Sequence, residues 1–158
     1  MKSIEPLSLE QAYQYSLKLL AARDYTTAKL KGKLRTRECP ETAVESVVTR
    51  LTMEGWINDR RYAERFAEAA LSTQRFCGPR LKLEMRRRGI PVDLVDEVLG
   101  MMRGEHDEVA GARLLLEKRF TGFSFSDAAD REKRRVIAFL QRRGFGYSAI
   151  MQAMREQG

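Results

Sequence analysis

The sequence predicts an all-α protein: three tandem three-helix units stacked into an elongated, solenoid-like domain. Three observations lead there. Apolar residues recur at helical spacing through most of the chain, and a helix–corner–helix pattern returns three times. Each copy, about 50 residues, is too small to bury its own apolar stripe and gains a continuous core only by stacking on its neighbours. The expected units are 1–57, 58–103 and 104–158.

The clearest copy of the pattern is GPRLKLEMRRRGIPVDLVDEVL, Gly78 to Leu99. Pro79 suits a helix start, where its missing N–H would have had no partner. Leu81 and Met85 share one face, Gly89 can take the left-handed cap conformation, and Pro91 opens the next helix. Leu94, Val95, Val98, Leu99 and Met102 give that helix its stripe.

Taken in order, Leu9, Ala12, Tyr13, Leu17 and Leu20 predict a first helix over Leu9–Ala22 with no glycine or proline to interrupt it. Asp24 or Thr26 can cap a second helix running to about Arg37. Within it AKLKGKLRTR alternates like a half-buried strand, but the repeat decides for helix. Laying residue 37 on 88 and on 143 brings together Leu30, Leu81 and Val136; Leu34, Met85 and Leu140; Cys39, Ile90 and Phe145; Val44, Val95 and Ile150; and Val48, Leu99 and Met154. Gly55–Asp59 separates the first two units, with Asn58 or Asp59 as the next N-cap. Tyr62, Ala63, Phe66, Ala67, Ala70 and Leu71 form the following stripe. A break is expected from Gly100 to Glu105, before a third unit opened by Val109, Ala110, Leu114, Leu115 and Phe120. That unit carries a longer link, FTGFSFSDAAD, a second helix at about Arg131–Arg143, and Gly144-Phe145-Gly146 in place of a proline corner.

A net charge of +7 with pI near 9.7 favours an anionic partner, nucleic acid or an acidic protein surface. The N-terminal MKSIEPLSLEQ lacks the apolar core of a signal peptide and no apolar run can span a bilayer, so a cytoplasmic location is expected. Cys39 and Cys77 lack a CxxC spacing and His106 is the lone histidine, which removes zinc ribbons, a disulfide framework and most nucleophile–base constellations. No phosphate-loop, dinucleotide or HExxH pattern occurs. No catalytic residue, metal or cofactor is expected.

Each helical residue advances about 100°, which sorts the arginines by face. With Leu81 at zero, Arg88 lies at about 340°, bordering the stripe, and Arg37 and Arg143 hold the same place. They are expected to lay their stems over the core. Arg80 lies at about 260°, outward, with Lys29 and Arg135 as counterparts. Adding Lys31, Lys82, Arg35, Arg86, Arg87 and Arg142 gives a row of cations along the three second helices, the candidate contact surface for a protein partner or DNA phosphates. A local Arg80–Glu84 pair at i, i+4 is the competing use of such charge. Cys39 is expected to be a small buried hydrophobe, His106 a surface residue, and Trp56 a packing anchor rather than a base-stacking platform.

Two stretches then suggest a family. The residues Gly55, Trp56, Ile57, Asn58, Asp59, Arg61, Tyr62 and Ala63, followed by Gly78, Pro79, Leu81, Glu84, Met85, Arg88, Gly89 and Ile90, resemble the RecX family of bacterial recombination regulators, as does SLKLLAARDYTTAKLKGKL near the start. Gln74-Arg75-Phe76-Cys77 stands where the family commonly has a Lys/Gly-rich run. The resemblance implies a stack of three-helix units that binds the RecA filament on DNA and restrains its growth, strand exchange, ATP hydrolysis and induced repressor cleavage, without catalysis of its own. A helix-turn-helix transcription regulator is the alternative, although third helices such as ETAVESVVTRL are poorly equipped to read base edges. A scaffold joining acidic proteins is a third.

Overall fold

The computed structural model describes residues 5–102 and 107–158, and among them all regular secondary structure is helical. The helices are α1 (Leu9–Ala22), α2 (Thr27–Thr36), α3 (Glu41–Met53), α4 (Asp59–Ser72), α5 (Gly78–Arg87), α6 (Val92–Met102), α7 (Glu108–Arg119), α8 (Asp130–Arg142) and α9 (Tyr147–Arg155). Short polar residues set several starts. Ser8 and Gln11 form a reciprocal capping box at α1, and Thr26, Asn58 and Asp107 accept a backbone N–H three residues on.

Helices pack in threes, the first and third of each set lying together and the second closing across them. Each set encloses its own core. The columns aligned in the sequence are buried almost throughout: Leu30, Leu81 and Val136; Leu34, Met85 and Leu140; Cys39, Ile90 and Phe145; Val44, Val95 and Ile150. Only Leu99 in the last column is partly exposed. The chain exposes 10093 Å², against about 8,100 Å² for a compact monomer of this mass. That excess is what a row of small cores costs relative to one large one.

Neighbouring units meet at one recurring place, the start of a second helix against the following unit's corner. At the first joint the Thr26 hydroxyl donates to the Arg88 carbonyl at 2.6 Å, and the Thr27 N–H donates to Asp59 Oδ1 at 2.8 Å. At the second, the Cys77 N–H donates to the Arg143 carbonyl at 2.9 Å. Thr26 and Cys77 are the same repeat position, as are Arg88 and Arg143. The glycines after those carbonyls have φ +89 at Gly89 and +103 at Gly144, and neither has room for a side chain. A Cβ on Gly89 would lie 2.8 Å from the Ala28 Cβ, and one on Gly144 only 1.9 Å from the Cys77 oxygen. Glu38, at the equivalent corner of the first set, also has positive φ, 57.

Three sequence expectations fail locally. Leu9 and Leu114 are exposed, at 52% and 54%, because the α1 stripe is completed by Ser16 and the α7 stripe by Ala112, Leu115 and Leu116. Helix α6 continues through Gly100 to Met102 instead of breaking there, since Met102 still packs on the second core. The rest of that break, His106 and the expected 103/104 boundary lie outside the described residues.

Candidate functional site

On the second helices the nine cations of the expected row face different fates. Lys31 pairs with Glu45 at 2.9 Å and Lys82 with Asp96 at 3.2 Å, the same bridge in successive repeats between a second and a third helix. Arg35 grips Glu41 with two N–H groups, at 2.7 and 3.1 Å. That bond raises the guanidinium's affinity for its proton and holds the Glu41 carboxyl below its ordinary range. Arg80 and Arg87 share Glu84, each at 3.0 Å. Lys29, Arg86, Arg135 and Arg142 are exposed and have no carboxylate within 4 Å among the described residues.

The row is therefore not uniform. Arg80, expected to point outward, is half-buried against Phe76, with its Nε buried and unpartnered. The i, i+4 pair with Glu84 forms because both side chains lie on one helix face. In the third unit the repeated bridge is gone, since Ile137 and Met151 occupy the Lys82 and Asp96 positions and pack on the third core.

A second set of arginines sits at the corners. Arg37, Arg88 and Arg143 cap the C-termini of α2, α5 and α8, where a positive charge suits the helix dipole. Their guanidinium groups lie 5.0 Å from the centre of the Tyr15 ring, 5.0 Å from Phe66 and 5.1 Å from Phe139. Between the second and third units this corner opens into a cleft of about 680 Å³ lined by Phe66, Thr73, Arg75, Phe76, Arg88 and Arg143. Sequence reasoning had Arg88 and Arg143 on the apolar border and missed Arg75 and Phe76, which precede the Gly-Pro start of α5. The signal was present as an Arg-Phe pair flanked by no acid, but nothing in the sequence places it beside residue 143.

Trp56 is not a packing anchor. It is 54% exposed, and its Nε1 donates to Glu54 at 3.3 Å. The same carboxylate accepts from the Tyr13 hydroxyl at 2.6 Å and from Arg50 at 2.8 Å, and these donors, Tyr13 first, lower its pKa. Among the described residues no group of three or more His, Cys, Asp or Glu could hold a metal ion, and no helix is long and apolar enough to cross a membrane. Cys39 and Cys77 are both buried and unpaired. Burial, with the charge of Glu108 adding to it, pushes the Cys77 thiol up to about 12.

The fold defines an all-α repeat protein of three tandem three-helix units, with cations concentrated on the second helices and their corners. Family models described as the first, second and third three-helix domains of RecX match residues 12–51, 58–99 and 106–154. The chain belongs to the RecX family. It is 43% identical over 140 residues to the Regulatory protein RecX of Trichlorobacter lovleyi, covering 89% of this chain and 91% of that one. It is 37% identical over 149 residues to that of Deinococcus radiodurans, covering 93% and 68%. The crystal structure of RecX from Lactobacillus salivarius shares the fold, with a TM-score of 0.75 at 22% identity over 94% of this chain and 96% of that one.

Proposed function

We propose that the chain regulates the RecA recombinase, mainly as an inhibitor. It binds the RecA–DNA filament in the cytoplasm and restrains filament extension, ATP hydrolysis, strand exchange and repressor cleavage, without catalysis or cofactor of its own. The observation that carries this reading is the match of relatives named Regulatory protein RecX along nearly the whole chain, spanning all three units. Units 1–57, 58–103 and 104–158 each present part of the row to successive sites of a repeating partner. Contacts that are weak singly can then raise avidity by ~10²–10⁴. Lys29, Arg86, Arg135 and Arg142, whose charges have no acidic partner among the described residues, carry most of the electrostatic attraction to filament and DNA phosphates. Lys31, Arg35, Arg80, Lys82 and Arg87 are already largely neutralised and contribute less.

The charges on the third helices weigh against the helix-turn-helix alternative. On α3 and α6 the side chains Glu41, Glu45 and Asp96 face the second-helix cations, where a reading helix would present donors to base edges. The deciding measurement is RecA-driven ATP hydrolysis on single-stranded DNA with increasing amounts of this protein. Hydrolysis falls as the protein approaches stoichiometric ratios, and an unchanged rate there rules the reading out. Replacing Lys29, Arg86, Arg135 and Arg142 by Gln weakens filament binding more at low salt than at high, because exposed charges are screened.

A further inference from the structure

We propose that the apolar cavity at the second joint binds a small amphiphilic amine, its apolar body among Leu71, Leu81, Leu99 and Met102 and its ammonium group on Glu108. The site is separate from the row of cations and does not rest on the RecA reading.

Space is the first argument. The cavity holds about 370 Å³, within the roughly 300–1,000 Å³ of small-molecule sites. Leu71, Leu81, Leu99 and Met102 wall it, and the buried Cys77 and the exposed Lys82 and Glu108 complete the lining. By the repeat, Leu99 and Met102 stand where the first unit has Val48 and Leu51, and Leu99 also matches Met154. Val48, Leu51 and Met154 are buried, whereas Leu99 and Met102 are only partly so. Positions that close in the first unit therefore stand open here. Walls of this kind give water few hydrogen-bond partners, so an apolar body displaces it favourably.

Charge selects the head group. The Lys82 ammonium is already paired with Asp96 at 3.2 Å. Glu108 pairs with no lysine or arginine among the described residues. Its Oε1 accepts the Gly146 N–H at 2.7 Å, and its Oε2 has no hydrogen-bond donor among them. The negative charge is felt inside the cavity, where it adds to burial in raising the Cys77 thiol. An ammonium ligand thus meets a free carboxylate. A carboxylate ligand meets that same charge as repulsion, and the nearby cation is taken.

Position gives the site its consequence. Glu108 holds the third unit's corner through Gly146, and Cys77 makes the joint through its N–H to the Arg143 carbonyl. An occupant touches α4, α5 and α6 on one side and α7 on the other, so its binding ties the second and third units together.

The test is a methyl NMR titration of the whole protein with phenethylamine, phenethyl alcohol and 3-phenylpropionate, three probes with one apolar body and different heads. Saturating shifts are confined to the Leu71, Leu81, Leu99 and Met102 methyls. The amine binds about threefold or more tighter than the alcohol, and the acid more weakly than either. Glu108→Gln keeps an oxygen for the Gly146 N–H, abolishes the amine's advantage and changes alcohol affinity less than about twofold. Leu99→Phe fills the cavity and removes saturable binding of all three. Should that variant melt early, Met102→Phe at a partly exposed position replaces it, and the Glu108→Gln arm stands without either. Shifts that never saturate overturn the proposal, as does an amine preference that survives Glu108→Gln. Tighter binding of the acid overturns it too, by assigning the head group to Lys82. So do shifts of the same methyls with protein concentration alone, which assign the cavity to a second copy of the chain.

Discussion

At the first joint a threonine side chain reaches across to the next unit, the Asp59 carboxylate caps the neighbouring N–H, and Asp24 and Arg65 approach within 3.5 Å. At the second the same repeat position is Cys77, whose side chain is only 2% exposed and belongs to the third core, while Leu71 packs against the second and third cores together. One joint is polar and the other is a continuation of the core, yet in both a group at the start of a second helix donates to the carbonyl before a corner glycine. What the repeat keeps is that close backbone approach, and the side chains around it are free to vary in chemistry. The first unit supports the point. Glu38 carries a side chain at a positive φ, and among the described residues no second-helix start of a preceding unit is hydrogen-bonded to its corner.

The comparison can be broken most directly at the glycines. Gly144→Ala destabilises the protein by about 3 kcal/mol or more, and Gly89→Ala by about 2 kcal/mol, because the first must push back a backbone carbonyl at 1.9 Å and the second the Ala28 methyl group at 2.8 Å and the Thr26 hydroxyl at 3.1 Å. Glu38→Gly has the opposite sign, a gain of about 0.5–1 kcal/mol from relieving the left-handed backbone. Urea denaturation of the three variants checks the order, and equal losses at 89 and 144 would show that the two joints yield alike.

Next in size is the polar joint. Thr26→Val leaves the Arg88 carbonyl and the Lys29 N–H without the hydroxyl and costs about 1–3 kcal/mol, whereas Thr26→Ser keeps both bonds and stays within about 1 kcal/mol. Thermal melts separate the pair.

The buried thiol gives the apolar joint a pH signature. Its pKa is raised in the folded state, so native Cys77 holds its proton between the ordinary 9.0 and about 12, where the unfolded chain has lost it. The stability this gives is whole below pH 9 and is lost as the pH rises through that window. The stability gap between the unaltered protein and Cys77→Ala therefore narrows from pH 9 upward. Iodoacetamide at pH 8 labels Cys77 no faster than the protein opens.

The smallest expected effect tests the repeated bridge. Lys82→Ile with Asp96→Met installs the third unit's pair in the second and changes stability by less than about 1 kcal/mol, since an exposed ion pair is worth little. A large loss in denaturation would mean that the bridge positions α6.

Much of the fold was readable because burial follows a period the sequence displays. Leu30, Leu81 and Val136 recur at matching places, and so do the residues four further on, so the three second helices and their buried faces follow from spacing alone. Where the reading failed at Leu9 and Leu114, a single helical face was wide enough for its edge residues to fall on either side of the boundary, and Trp56 stands in the link between α3 and α4, where no helical period applies. The candidate site was legible only in its parts. Cations on second helices could be named one by one, but whether each was paired depended on a carboxylate 14 residues away, as for Lys31 and Glu45, or shared between two arginines, as at Glu84.

The sequence by itself determined the helices, the threefold repeat and the columns of the core, because these rest on local geometry and on apolar period. Only the tertiary structure decided which charges stay uncompensated and what faces what across a joint. It brought Arg75, Arg88 and Arg143 into one cleft although up to 68 positions separate them. The reason is physical: stacking is fixed by the fit of backbone against backbone at Gly89 and Gly144, and the distances between charges on successive units are set by that fit.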